Sequence, residues 1–154
     1  MDFNIRKYIP SDFDAVLECN LYLQEYERNL EKDRLPAQEV AHEYLQSLLV
    51  RKNSLIYVAE SNNRVIGFIS FCLEKEDSIL QEKHQSVYIS DIAVLPEYQK
   101  KGVGQKLLSQ AEDFCHENSI NRILISAIAK NESAKNAYVK NGFREYEISF
   151  IKEL

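Results

Sequence analysis

The sequence predicts a mixed α/β fold, on three observations. The hydrophobic period switches along the chain between about two and about 3.6 residues, the signatures of strands and helices, in the order β-α-α-β-β-β-α-β-α-β. Two helices follow the first strand, and a hairpin follows them. Finally, 154 residues with 45% hydrophobic content are enough for one well-buried core and leave little material for a second, so residues 1–154 are expected to form a single domain.

Each element has its own local reason. "FNIRKYI" (3–9) alternates apolar and polar residues and stops at Pro10, as a short strand would. Ser11, followed three residues later by Asp14, reads as the cap of a helix whose stripe is Phe13, Val16, Leu17, Leu21 and Leu23, running to about residue 30. "EKDRLPAQ" breaks that helix, and Pro36 can open the next at its first turn, with Val40, Tyr44, Leu45, Leu48 and Leu49 at helical spacing. "SLIYVAE", the turn "SNNR" and "VIGFISFCLE" form a hairpin, and "KEDSILQEKHQ" is a charged loop. "SVYISDIAVLP" (86–96) is a nearly continuous apolar strand, as expected of one covered on both faces, which makes Asp91 within it conspicuous. A helix carrying Val103, Leu107, Leu108, Ala111, Phe114 and Cys115 follows, then a strand at "RILISAI", a helix at "NESAKNAYVKNGF" and a closing strand region at "REYEISFIKEL". Internal repeats and linkers are absent.

Composition excludes several function classes. Nineteen basic against twenty-four acidic residues give a net charge of -5, which disfavours nucleic acid and anionic membranes as partners and favours a cationic substrate. Cys19, Cys72 and Cys115 are widely spaced and lack C-x-x-C pairing, so neither a disulfide framework nor a metal site is expected; they read as reduced core thiols of a cytoplasmic protein. His42, His84 and His116 have no ligand spacing and are expected at the surface. The amino terminus has no secretory pattern, and no stretch is long enough to span a bilayer.

"PEYQKKGVGQKLL" (96–108) places Gly102-Val103-Gly104 between a strand and a helix. The first amides of that helix are free to point at a ligand, glycine permits close approach, and the helix dipole with Lys100, Lys101 and Lys106 favours an anion such as phosphate. A Rossmann site does not fit, because the third glycine and the acidic residue after a second strand are missing.

The wider stretch "DIAVLPEYQKKGVGQKLL" resembles the acyl-CoA-binding motif of the GNAT superfamily of N-acyltransferases. The pattern Gln/Arg-x-x-Gly-x-Gly/Ala stands here as Gln99 to Gly104 after Val94-Leu95-Pro96. "NESAKNAYVKNGF" is similar to that family's second segment, with Asn131, Tyr138, Gly142 and Phe143 in register, and the element order is also the family's. The resemblance implies a mixed, mostly antiparallel sheet of about seven strands with a splayed parallel pair, flanked by about four helices. It further implies acetyl-CoA as cosubstrate and no metal, with the amides of Gln99, Lys100, Lys101, Gly102, Val103, Gly104 and Gln105 holding the pyrophosphate. Ile92, Ala93 and Val94 would bond the pantetheine arm, Asn131 would lie near it, and Tyr138 would be the general acid for the leaving thiolate. A splayed strand suits such a partner, because its unpaired backbone groups need one. Asn131 is equally well placed to cap its helix, and Gly142 with Phe143 to terminate it.

The reaction so implied is direct attack of an amine on a thioester, which needs a proton donor for the sulphur but no covalent enzyme intermediate. The base is less clear. Many family members place a glutamate five residues before the asparagine, where this chain has Ser126. Asp91 is the leading substitute: strand alternation puts it on the face of Ile89 and Ala93, and partial burial would raise its pKa. A purely structural carboxylate and a water chain to solvent are the alternatives, and Glu74 and Glu76 are weaker candidates. "VYISDIAV" resembles the Tyr-x-Glu-Asp-x-x-Val strand of diamine and polyamine acetyltransferases, matching at Tyr88 and Asp91 with Ser90 in place of the glutamate. Tyr22, Glu25, Tyr26 and Asn29 share a face near the end of the first helix and would suit a protonated amine. The acceptor is therefore expected to be a small cationic amine, with a peptide or protein amine next. The resemblance also allows a homodimer, to which "EYEISFIKEL" could contribute. A non-catalytic acyl-CoA-binding module and a plain nucleotide-binding protein are the competing readings.

Overall fold

The computed structural model describes residues 1–75 and 77–154. Strand β1 (Asn4–Lys7) ends before a 3-10 turn at Pro10–Asp12, which leads into α1 (Phe13–Leu30). The group that fixes this start is Asp12 rather than Ser11. Its Oδ2 accepts the Ile9 amide at 2.9 Å, and its two oxygens take the Arg6 guanidinium at 2.7 and 2.9 Å. Arg6 Nε also reaches Glu60 at 2.8 Å. Hydrogen bonding to Arg6 outweighs burial and holds the Asp12 carboxyl below the ordinary carboxylate range. Helix α2 (Ala37–Val50) follows Pro36, which stands at the cap position with φ -56° and ψ 136° rather than inside the first turn. Strands β2 (Ser54–Ser61) and β3 (Arg64–Lys75) form the expected hairpin. Its two-residue turn is Asn62-Asn63, at φ 51° and 59°, a left-handed pair that asparagine tolerates better than most residues. Then come β4 (Gln85–Val94), a 3-10 turn at Pro96–Tyr98, α3 (Val103–Glu117), β5 (Ile123–Ile125) and α4 (Glu132–Lys140).

The strands lie in the order β1-β2-β3-β4-β5, antiparallel except for the parallel β4–β5 pair. One face packs Ile66, Ile69, Phe71, Val87 and Ile89 against Leu107, Leu108 and Ala111 of α3. The other packs Val58, Phe68 and Ala93 against Val16 and Cys19 of α1 and Leu45 and Leu48 of α2. Cys19, Cys72 and Cys115 are free and buried. No helix among the described residues is long and apolar enough to cross a membrane.

The described residues form five strands in place of the seven implied by the resemblance. "RILISAI" contributes only Ile123–Ile125, and "REYEISFIKEL" forms no strand. Residues 144–154 make no backbone–backbone hydrogen bond with another described residue, and Ile148 and Phe150 are 63% and 93% exposed. Alternating apolar residues supply propensity, whereas a strand forms only where a neighbour offers a pairing edge.

Two local features of β4 shape the site. Ser70 of β3 pairs with Asp91 while the next residue, Phe71, pairs with Ile89, so Ser90 is an extra residue in β4, a β-bulge. The bulge overturns simple alternation: Ile89 faces the α3 side, while Asp91 lies with Ala93 on the α1–α2 side. In addition, Gly67 lies opposite Val94, where a Cβ would stand 2.6 Å from the Ala93 carbonyl oxygen. Only glycine lets β3 pass this close to β4.

Candidate active site

Strands β4 and β5 pair only at Val87–Ile123, Tyr88–Leu124 and Ile89–Ile125. Beyond the Ser90 bulge, Asp91 to Val94 have β3 on one side and, among the described residues, no strand on the other. This is the splayed pair, and its open edge carries backbone groups of Ile92, Ala93 and Val94. The Val94 carbonyl accepts Gln99 Nε2 at 2.9 Å, and the same nitrogen reaches Tyr22 Oη at 3.0 Å, so Gln99 ties the edge to α1.

At the end of this edge the chain turns into α3. Lys100 and Gly102 are left-handed, at φ 58° and 84°, and Gly102 is the helix cap. The Gln99 amide is committed to the Pro96 carbonyl at 3.2 Å, and the first intrahelical bond runs from Lys106 to Gly102 at 3.0 Å. The amides of Lys100, Lys101, Gly102, Val103, Gly104 and Gln105 have no acceptor among the described residues. Together they make a concave run of donors at the positive end of a helix dipole, with Lys100, Lys101 and Lys106 exposed around it. Lys101 Nζ rests on the Glu97 carbonyl at 2.7 Å, near the Tyr98 ring. This lining fits a pyrophosphate, and the open β4 edge fits an amide-bearing arm.

Asp91 is 9% exposed and accepts a 2.7 Å hydrogen bond from Tyr44 Oη. Burial raises its pKa to about 6; the Tyr44 bond and Arg34 oppose the rise, and Glu27 adds to it. The register partner of Asp91, Ser70, is fully buried on the same face. Tyr44 itself is held protonated by burial and by the Asp91 charge. Tyr138, on α4, packs against Phe143 with ring centroids 5.9 Å apart, and its hydroxyl makes no hydrogen bond to another described residue. Burial, then Glu27, Asp91 and Tyr88, push its pKa up to about 12. Tyr88 donates to Ser126 Oγ at 3.2 Å. Asn131 caps α4, its Oδ1 accepting the Ala134 amide at 3.0 Å, and is 7% exposed.

On α1, Tyr22 and Tyr26 lie with ring centroids 6.2 Å apart, while Glu25 pairs with Arg28 at 3.6 Å, both partly exposed. The α1 carboxylate that shares the electrostatic neighbourhood of Asp91 and Tyr138 is Glu27, which sequence reasoning missed along with Tyr44 and Arg34. A signal existed: Glu27 continues the inward helical spacing of Val16, Asn20 and Leu23, an apolar position occupied by an acid. Glu74 pairs with Arg51 at 2.9 Å, and Glu76 lies outside the described residues. His42 packs edge-on against Phe13, and His84 takes a 3.0 Å contact from Arg122. Among the described residues no group of metal-ligating side chains gathers.

An opened parallel pair beside a helix start rich in free amides is the architecture of an acyl-transferring enzyme. The chain belongs to the acetyltransferase (GNAT) family, whose model matches residues 19–143, and it is an N-acetyltransferase of that family. It is 30% identical over 144 residues to the uncharacterized N-acetyltransferase YhfO of Bacillus subtilis (strain 168), covering 92% of this chain and 90% of that one. It shares its fold with the BH1408 protein of Bacillus halodurans, solved as a mutant (TM-score 0.90, 17% identity, 98% and 99% of the two chains). It shares it also with AAC(6')-Iy, solved with the bisubstrate analogue CoA-S-monomethyl-acetylneamine (TM-score 0.71, 14% identity, 100% and 99%).

Proposed function

We propose that residues 1–154 act as one catalytic domain that moves the acetyl group of acetyl-CoA directly to a small cationic amine, in a ternary complex and without a metal. The carrying observation is the placement of Asp91, hydrogen-bonded by Tyr44 at 2.7 Å and electrostatically linked to Tyr138, where β4 parts from β5. Acetyl-CoA supplies an activated thioester. The amides of residues 100–105 would bind its pyrophosphate, and the open edge of Ile92 to Val94 its amide-bearing arm, with Asn131 at the mouth. Asp91, with a pKa of about 6, is mostly ionised at neutral pH and can take a proton from the acceptor ammonium. Tyr138 remains a phenol and donates to the departing sulphur. Tyr22, Tyr26 and Tyr88 line the acceptor side, where aromatic faces suit a cation. Three buried free thiols support a reducing, cytoplasmic setting. The exposed Ile148, Phe150 and Ile151 give a homodimer apolar surface to cover.

The test is free-thiol release from acetyl-CoA across polyamines, amino acids, aminoglycosides and short peptides. Release dependent on small cationic amines supports the assignment. Release with peptides alone moves the acceptor to a protein amine, and acetyl-CoA binding without release from any acceptor leaves an acyl-CoA-binding module.

A further inference from the structure

Arg34 stands in the loop between α1 and α2, and its Nη1 lies 2.9 Å from Glu27 Oε2 and 3.4 Å from Gln24 Oε1. Glu27 is the more enclosed of the pair, with 19% side-chain exposure against 39% for Arg34. No other cation among the described residues pairs with Glu27. The formal charge here is two carboxylates, Glu27 and Asp91, against one guanidinium. Ser70, fully buried beside Asp91 on the same face, turns its hydroxyl to that carboxylate and helps to hold it ionised. Among the described residues the cleft is thus one cation short of balance, and the guanidinium of Arg34 hangs from a connecting loop rather than a packed element.

We propose that Arg34 is an intramolecular stand-in for part of the substrate: an acceptor bearing a second cationic group displaces it from Glu27, while the reacting amine goes to Asp91. This rests on the amine-acetylating reading above and specifies its acceptor as a dication. Glu27 becomes the specificity-determining residue and Arg34 a competitor that every such substrate must outbid. A monocation has no use for Glu27 and leaves the Arg34 pair in place.

The experiment compares wild type, Arg34→Gln, Glu27→Gln and the double variant, using putrescine and cadaverine against butylamine. Measured on the pH plateau, above the acidic limb of both proteins, Arg34→Gln is expected to lower KM for the diamines by about fivefold, the scale of a half-exposed ion pair, with kcat, KM for butylamine and KM for acetyl-CoA unchanged. Glu27→Gln should erase the diamine preference, and adding Arg34→Gln to it should change nothing further. The pH profile gives a readout that a merely structural pair would not move. Asp91 is faced by Tyr44 from α2, Ser70 from β3, Glu27 from α1 and Arg34 from the loop, with Tyr138 of α4 nearby. Removing Arg34 should move the acidic limb of kcat/KM upward, and removing Glu27 should move it downward. Diamine KM values unchanged or raised in Arg34→Gln, or equal handling of diamine and monoamine by wild type, overturn the inference. Calorimetric diamine affinity, which needs no turnover, separates the two layers. Tighter diamine binding by Arg34→Gln without transfer rejects the reaction and supports the subsite; transfer with unaltered binding does the reverse.

Discussion

Tyr138 suits the proposed role of proton donor because it stays a phenol: burial and the nearby Glu27, Asp91 and Tyr88 keep its proton in place through the neutral range. Replacing it with Phe keeps the ring packed on Phe143 and removes only the donor. Turnover should fall by about a hundred- to ten-thousandfold while acetyl-CoA affinity, measured by calorimetry, holds; equal rates would reject the role. Asp91 poses the opposite problem, a carboxylate that the fold would rather keep neutral. Its folded pKa of about 6 lies above the ordinary value, so its stabilising contribution is complete below that ordinary value and is lost as pH rises through 6. Asp91→Asn is therefore expected to abolish most activity yet raise stability at pH 8 by roughly 2 kcal/mol, with a much smaller gain at pH 4. Thermal melts of both proteins at the two pH values check this, and a gain independent of pH would refute the linkage.

At the scale of the element, the Ser90 bulge controls the direction of β4. The residues flanking Ser90 already pair consecutively with Phe71 and Ser70, so deleting it leaves every other side chain on its present face. What disappears is the extra residue, and with it the local bend and added twist. The deletion variant is expected to fold with near wild-type stability but to bind acetyl-CoA at least about tenfold more weakly, because β4 can then continue alongside β5 and close the open edge. Melting temperature and calorimetric affinity, measured together, decide it. A variant that unfolds would show that the bulge also relieves packing strain.

Over the whole molecule, the net charge of -5 would draw the proposed cationic acceptor inward, while three lysines around the α3 start would counter it locally for an anionic cosubstrate. The acceptor kcat/KM should fall severalfold as ionic strength rises from about 0.01 M to about 0.15 M, where the screening length contracts to about 8 Å. A flat response would confine the attraction to direct contacts in the cleft. In the proposed reaction the two helical layers divide the labour: α3 backs the sheet and would present its amides to the cosubstrate, while α1, α2 and their loop would bring Glu27, Tyr44 and Arg34 to the acceptor.

Local order was written in the sequence. The change of period marked the hairpin and the helices, and Asn62-Asn63 marked its turn. Gly102, followed by Gly104, marked a helix start that can take an anion, because each of these depends on neighbours within a few residues. The face of Asp91 was not legible, since a one-residue bulge is invisible until β3 supplies the register against which Ser90 is extra. Nor was the closing strand's absence, because "EYEISFIKEL" has strand propensity but pairing depends on what stands beside it. Glu27, Tyr44 and Arg34 escaped notice for the same reason. Each is an ordinary residue of a helix or loop, and only packing α1 and α2 across β4 puts their charges and hydroxyls around one carboxylate, where low polarity makes them matter.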